Sequence, residues 1–196
     1  ALAFVKRAFE LSERFDVPVI VRMTTRVSHG KSLVEQGERN DVAVRPYQRD
    51  VRKNVMMPGN ARLRQREVNA REVELVAYGA AAEEYHDTSL GVITSGIAYQ
   101  YVREGLPDAS TLKLGLTVPL PESLILEFAS KVDRVVVIEE LDPYLSLRVK
   151  ALGITLVEHG LPRSGELSRR LVLLRNGSRY RQMPAASQRR LDRLVP

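Results

Sequence analysis

Apolar residues recur at helical spacing from the start of the chain, where Leu2, Val5, Phe9, Leu11 and Phe15 alternate with Lys6, Arg7, Glu10, Glu13 and Arg14. That spacing predicts an amphipathic helix. After Asp16 the run Val17-Pro18-Val19-Ile20-Val21 is short, continuously apolar and largely β-branched, which predicts a strand covered on both faces. One helix and one strand make no sheet, so the neighbours of this strand are expected from sequence outside the chain or from another chain. Residues 36 to 60 are polar, contain Pro46 and Pro58, and hold no sustained period, so they read as a connector. A helix is expected from about Ala61 to Tyr85, charged in its first half and rich in alanine in its second.

From residue 90 the pattern becomes a regular alternation. Strands are predicted at Leu90 to Thr94, Leu112 to Leu116, Arg134 to Ile138 and Ile154 to Val157. Helices fall between them at Ile97 to Glu104, Glu122 to Ser130 and Pro143 to Leu152. Short apolar runs alternating with helices of this length predict right-handed βαβ crossovers and a mostly parallel sheet. Leu171 to Leu174 offers a further strand, and residues 176 to 196 look irregular. The fold class is therefore α/β, a mostly parallel sheet with flanking helices, preceded by a partial N-terminal αβ unit. The expected division is an N-terminal remnant at 1–35, a linker at 36–70, the α/β domain at 71–160 and a basic tail at 161–196. Because Ala1 enters the helical pattern with no preceding cap, the chain is expected to be cut from something longer.

Composition narrows the chemistry. With 44% hydrophobic residues the chain can build a core, and without cysteine it offers no disulfide, no thiolate metal site and no thiolate ligand to an iron-sulfur cluster. The formal charge of +6 suggests an acidic partner until the charges are located. Nine arginines from Arg163 onward face only Glu166 and Asp192, a surplus of seven, and the rest of the chain balances to −1. A neutral body with a basic tail argues against nucleic-acid binding by the folded part. No apolar run approaches the roughly 20 residues of a membrane helix and no signal-peptide order is present, so a cytoplasmic protein is expected.

Three polar stretches sit where an α/β sheet gathers ligands. Thr24, Thr25, Arg26, Ser28 and His29 follow the first predicted strand; their hydroxyls and guanidinium suit a carboxylate or phosphate and His29 suits a proton relay. The same residues equally suit a polar turn that caps the next element. Thr94-Ser95-Gly96 joins a strand to a helix, but the dinucleotide and P-loop glycine patterns are absent, so it reads as an ordinary βα turn. Glu139-Glu140-Leu141-Asp142-Pro143 closes another strand. Asp142 and Pro143 are expected as N-cap and first helical residue, leaving Glu139 and Glu140 as candidates for an interface. The histidines His29, His86 and His159 are too far apart to pair, so no metal and no catalytic residue is assigned.

Five stretches taken in order carry a family resemblance: Pro18-Val19-Ile20-Val21-Arg22-Met23-Thr24-Thr25-Arg26-Val27-Ser28-His29, Gly91 to Val102, Leu112 to Pro121, Val135-Val136-Val137-Ile138-Glu139-Glu140-Leu141-Asp142-Pro143 running on through Gly153, and Leu161 to Ser168. Over residues 1 to 168 the chain resembles the alpha subunits of the indolepyruvate:ferredoxin oxidoreductases, thiamine-diphosphate enzymes of the 2-oxoacid:ferredoxin oxidoreductase family. The resemblance implies that the first part ends a pyrimidine-binding domain and that the alternating part is a domain like the C-terminal domain of transketolase. It implies a parent that oxidatively decarboxylates aryl 2-oxoacids to acyl-CoA, with thiamine diphosphate, magnesium and iron-sulfur clusters as cofactors. Its implied partners are the remaining alpha-subunit domains, a smaller beta subunit, ferredoxin and coenzyme A. The family's magnesium-diphosphate motif and cysteine-rich end do not occur in these residues, and the arginine-rich tail departs from the family's continuation. The chain itself is therefore expected to hold no cofactor and to be inactive. The alternative is a stand-alone α/β protein-interaction module.

Overall fold

In the computed structural model the predicted first helix is present as α1 (Leu2–Phe15), with Leu11 and Phe15 as its buried residues. The structure describes residues 2–39, 41–44, 46–79, 81–158 and 160–175; His159 and the tail from 176 onward lie outside the described residues. Asp16 ends α1 in the left-handed region at φ 51°, a conformation that short polar side chains tolerate better than most. The segment 17–21 that follows forms no strand, and Ile20 is 91% exposed. Its apolar run predicts a covered strand, but a strand exists only where a neighbour takes up its N–H and C=O groups. Two short helices follow, α2 (Thr25–His29) and α3 (Val51–Asn54).

The long helix α4 (Pro58–Tyr78) opens on proline, which costs nothing at a first helical position because its missing N–H would have no intrahelical partner. It has no buried residue, and its apolar side chains Leu63, Val68 and Val73 are exposed. The chain divides into two compact units, residues 1–75 and 76–196.

In the second unit the expected helix to Tyr85 is corrected. It stops at Tyr78, and β1 (Ala81–Glu84) pairs antiparallel with a later strand. Alanine favours helix intrinsically, but pairing onto an open sheet edge outweighs a preference of about 1 kcal/mol or less per residue. There follow β2 (Asp87–Ser95), α5 (Ala98–Gly105), β3 (Ala109–Leu114), α6 (Glu122–Ser130), β4 (Val135–Ile138) and α7 (Tyr144–Ala151). The four strands form one sheet in the order β1-β3-β2-β4, parallel except at β1. The strand expected at Ile154 to Val157 is reduced to a parallel bridge from Leu156 to Val135 beside β4.

Alternation along the strands separates two cores. Ile93, Val135 and Val137 face the layer of α6 and α7, with Phe128, Ile125 and Leu145. Val92, Val136 and Ile138 face the layer of α5, with Val102 and Leu106. The crossover from β2 to β3 thus runs over one face and that from β3 back past β2 to β4 over the other, so the winding reverses between β2 and β4. The last described element, α8 (Arg169–Arg175), joins the α5 layer through Val172. Leu171 to Leu174, read as a possible strand, is helical because Ser168 takes the capping position: its Oγ accepts from Leu171 N at 3.4 Å and its carbonyl from Val172 N at 3.1 Å.

Candidate functional site

The polar groups at the carboxyl ends of β2 and β4 flank the reversal of winding, the place where open α/β sheets bind ligands. Thr94, fully buried at the end of β2, donates its hydroxyl to the Ile138 carbonyl of β4 at 2.8 Å. Gly96 then turns the chain into α5 at φ +58°, which a residue with a Cβ enters only at a cost.

At the end of β4 two consecutive carboxylates serve opposite layers. Glu139 accepts from the backbone N–H of Leu145 at 2.8 Å and of Ser146 at 2.9 Å, and from the Ser146 hydroxyl at 2.6 Å. These groups form the first turn of α7, where unpaired N–H groups and the helix dipole favour a negative charge. Glu140 turns the other way and accepts the Leu167 N–H at 2.7 Å, tying down the segment that leads into α8. Between them and α7 lies Leu141 in the left-handed region at φ 68°. The expected N-cap is corrected by this geometry: Pro143 occupies the capping position without any side-chain cap, and Glu139 supplies the missing acceptor from four residues upstream. A distant glutamate escapes sequence reading because capping rules look only at the residue next to the helix.

Thr24 to His29 belong to the first unit. Thr24 caps α2 through its Oγ1, which accepts from Val27 N at 3.5 Å, and its carbonyl accepts the Ser28 hydroxyl at 3.1 Å. Thr25, Arg26, Ser28 and His29 are exposed. Thr24 and Ser28 are thus brought together, while Glu139 and Glu140 share a strand end but not a target.

Two polar centres escaped the sequence reading. Asp16, at the end of α1, meets Lys53 Nζ at 2.7 Å, Arg64 at 3.4 Å and Arg71 at 3.3 Å. Arg71 also donates to the carbonyls of Phe15 and Asp16, the favoured place for a cation at a helix C-terminus. The Lys53 ammonium bonded to it, with Arg64 and Arg71 nearby, lowers the Asp16 pKa despite a countering cost of partial burial. The seven-residue spacing of Arg64 and Arg71 puts both on one face of α4, the only sequence trace of this centre. The second is Tyr99, which donates to Glu84 at 2.7 Å beneath the Lys113 ammonium 4.3 Å from its ring. Its bond to the Glu84 carboxylate, reinforced by burial, raises the phenol pKa.

What the fold and this strand end define is a doubly wound α/β domain whose edge carboxylates are engaged by its own backbone. No family model matches the chain. The chain is 37% identical over 177 residues to the indolepyruvate oxidoreductase subunit IorA of Methanothermobacter marburgensis, covering 81% of this chain and 28% of that protein. The IorA of Archaeoglobus fulgidus is 32% identical over 161 residues (77% and 26%), and that of Thermococcus kodakarensis 31% over 194 residues (87% and 30%). A solved 2-oxoglutarate:ferredoxin oxidoreductase from Magnetococcus marinus is 18% identical with a TM-score of 0.46, over 62% of this chain and 23% of that one. Over the stretch it shares with them, the chain is similar to the indolepyruvate oxidoreductase IorA subunits. It spans about 28% of the length of the first of these relatives.

Among the described residues no group of three or more His, Asp or Glu side chains could hold a metal ion, and the Glu139 and Glu140 carboxylates accept backbone N–H groups. A sequence without cysteine has no thiolate for an iron-sulfur cluster. No described helix is long and apolar enough to cross a membrane.

Proposed function

We propose that this chain is a framework part of an indolepyruvate (aryl 2-oxoacid):ferredoxin oxidoreductase alpha subunit, and that residues 1–196 alone are inactive. The parent's reaction is the thiamine-diphosphate-dependent oxidative decarboxylation of a 2-oxoacid to its acyl-CoA, with electrons passed to ferredoxin. The single observation that carries the reading is the match to IorA over 81% of the chain. The strand-end chemistry supports it, because Glu139 and Glu140 are committed to fixing helices on the two faces of the sheet. In this reading 1–35 is the end of a pyrimidine-binding domain and 71–160 a domain like the C-terminal one of transketolase, with 36–70 linking them and 161–196 leading onward. Thr24, Thr25, Arg26, Ser28 and His29 then line the parent's cleft, and a smaller beta subunit and the remaining alpha-subunit domains complete the enzyme.

The test is indolepyruvate- and coenzyme A-dependent reduction of ferredoxin. It is measured for the chain alone and for a full-length IorA, assembled with its partner subunit, in which this chain replaces the matching stretch. Turnover only in the assembled enzyme is expected. Turnover by the chain alone, or an assembled and cofactor-loaded chimera without turnover, would overturn the reading.

A further inference from the structure

We infer that the exposed apolar side chains around the start of α7 are a docking surface for another part of an IorA-type subunit, with Leu141 as its anchor. The inference rests on the function proposed above. In the second unit both faces of the sheet are covered, and among its described residues seven large apolar side chains are exposed. Five of the seven, Val118, Leu126, Leu141, Tyr144 and Leu147, belong to α6, α7 and the turns that lead into them. Two bonds hold these segments side by side. The Tyr144 hydroxyl donates to the Thr117 carbonyl at 3.2 Å, next to Val118, and Arg148, next to Leu147, pairs with Glu122 at 3.3 Å. Apolar residues exposed singly are ordinary, whereas a group rimmed by charged and polar side chains marks an interaction surface.

Leu141 is the most telling member. It holds φ at 68°, a conformation that a bulky side chain enters only at a cost and glycine takes freely. Its side chain is 46% exposed and lies in neither core cluster. A leucine that strains the backbone and adds little packing within the described residues is accounted for by a contact outside them. The chain spans 28, 26 and 30% of three IorA relatives, so most of such a subunit lies outside residues 1–196. A match that covers 87% of the chain necessarily takes in residues 118–147, which places the surface in the shared stretch. The occupant is therefore an apolar face of the remaining subunit, and not a second copy of this chain.

The test compares the 196-residue chain with the full-length chimera described above, by hydrogen–deuterium exchange and thermal melts. Amides at 144–149 should exchange about tenfold more slowly in the full-length subunit. Leu147→Lys should abolish that slowing and leave the melt of the free chain unchanged. Leu141→Gly should also abolish it, while the free chain melts no lower than the wild type because the strain is relieved. Absence of the slowing would overturn the inference, as would variants that destabilise the free chain as much as the full-length subunit. A free chain that dimerises, and that Leu147→Lys makes monomeric, would overturn it in favour of a second copy. Turnover reports on the proposed function separately: an active chimera without the slowing overturns the docking surface alone, and an inactive one that shows it upholds the surface and overturns the function.

Discussion

Replacing Glu139 by alanine tests the inference that this residue, and not Asp142, starts α7. The substitution removes the acceptor for two backbone N–H groups and one hydroxyl, at 2.8, 2.9 and 2.6 Å. One of those amides belongs to Leu145, which is 2% exposed and has little water to turn to. Losing a helix cap costs about 0.5–2 kcal/mol, and leaving a buried donor unsatisfied costs about 1–3 kcal/mol. These overlap because the Leu145 amide is counted in both, so we expect a net loss of about 2–3 kcal/mol. The assay is urea unfolding followed by far-UV circular dichroism. At a slope of about 1.5–2 kcal/mol per molar the midpoint should fall by roughly 1–2 M with the slope unchanged. Asp142→Ala, which removes no cap, should stay within about 0.5 kcal/mol of the wild type. A midpoint unmoved in Glu139→Ala, or a larger loss in Asp142→Ala, would refute the reasoning.

Gly91→Ala should destabilise by about 1–3 kcal/mol through overpacking, since its Cβ would come 2.6 Å from Val132 and 2.9 Å from Phe128. Val132→Ala in the same chain should recover part of that loss, and an additive double mutant would contradict the geometry. Asp16→Gly keeps the left-handed backbone and removes three cations' shared partner. Because Asp16 is half exposed, solvent screening limits the cost to about 1 kcal/mol or less, shrinking further in high salt; thermal melts with and without salt measure it. The folded-state pKa of Asp16 is lowered below its ordinary value of 3.8. Its contribution is therefore full above pH 3.8 and lost as the pH falls through the lowered value, so the wild type and Asp16→Gly should converge in stability only in strong acid.

The alternation of β2, α5, β3, α6, β4 and α7 was legible because each buried strand is a short apolar run and each helix carries its own period. α6 falls on the expected residues, Glu122–Ser130. Elements set by tertiary partners were not legible. β1 is built from alanines and glutamates that prefer helix and become a strand only because β3 has an open edge. The run at 17–21 failed for the complementary reason, an apolar pattern without a neighbouring strand. At the candidate site the sequence located the strand-end glutamates but not their use, since Glu139 reaches six and seven residues ahead and Glu140 twenty-seven. Asp16 and its three cations lie 37 to 55 residues apart, a separation at which single-sequence patterns carry no signal.

The function proposed for this chain, framing a thiamine site while leaving the cofactor to other parts of the enzyme, is tested most directly by calorimetry. Thiamine diphosphate with magnesium, titrated into the folded 196-residue protein, should release no saturable heat. A saturable isotherm with a micromolar Kd would contradict the account.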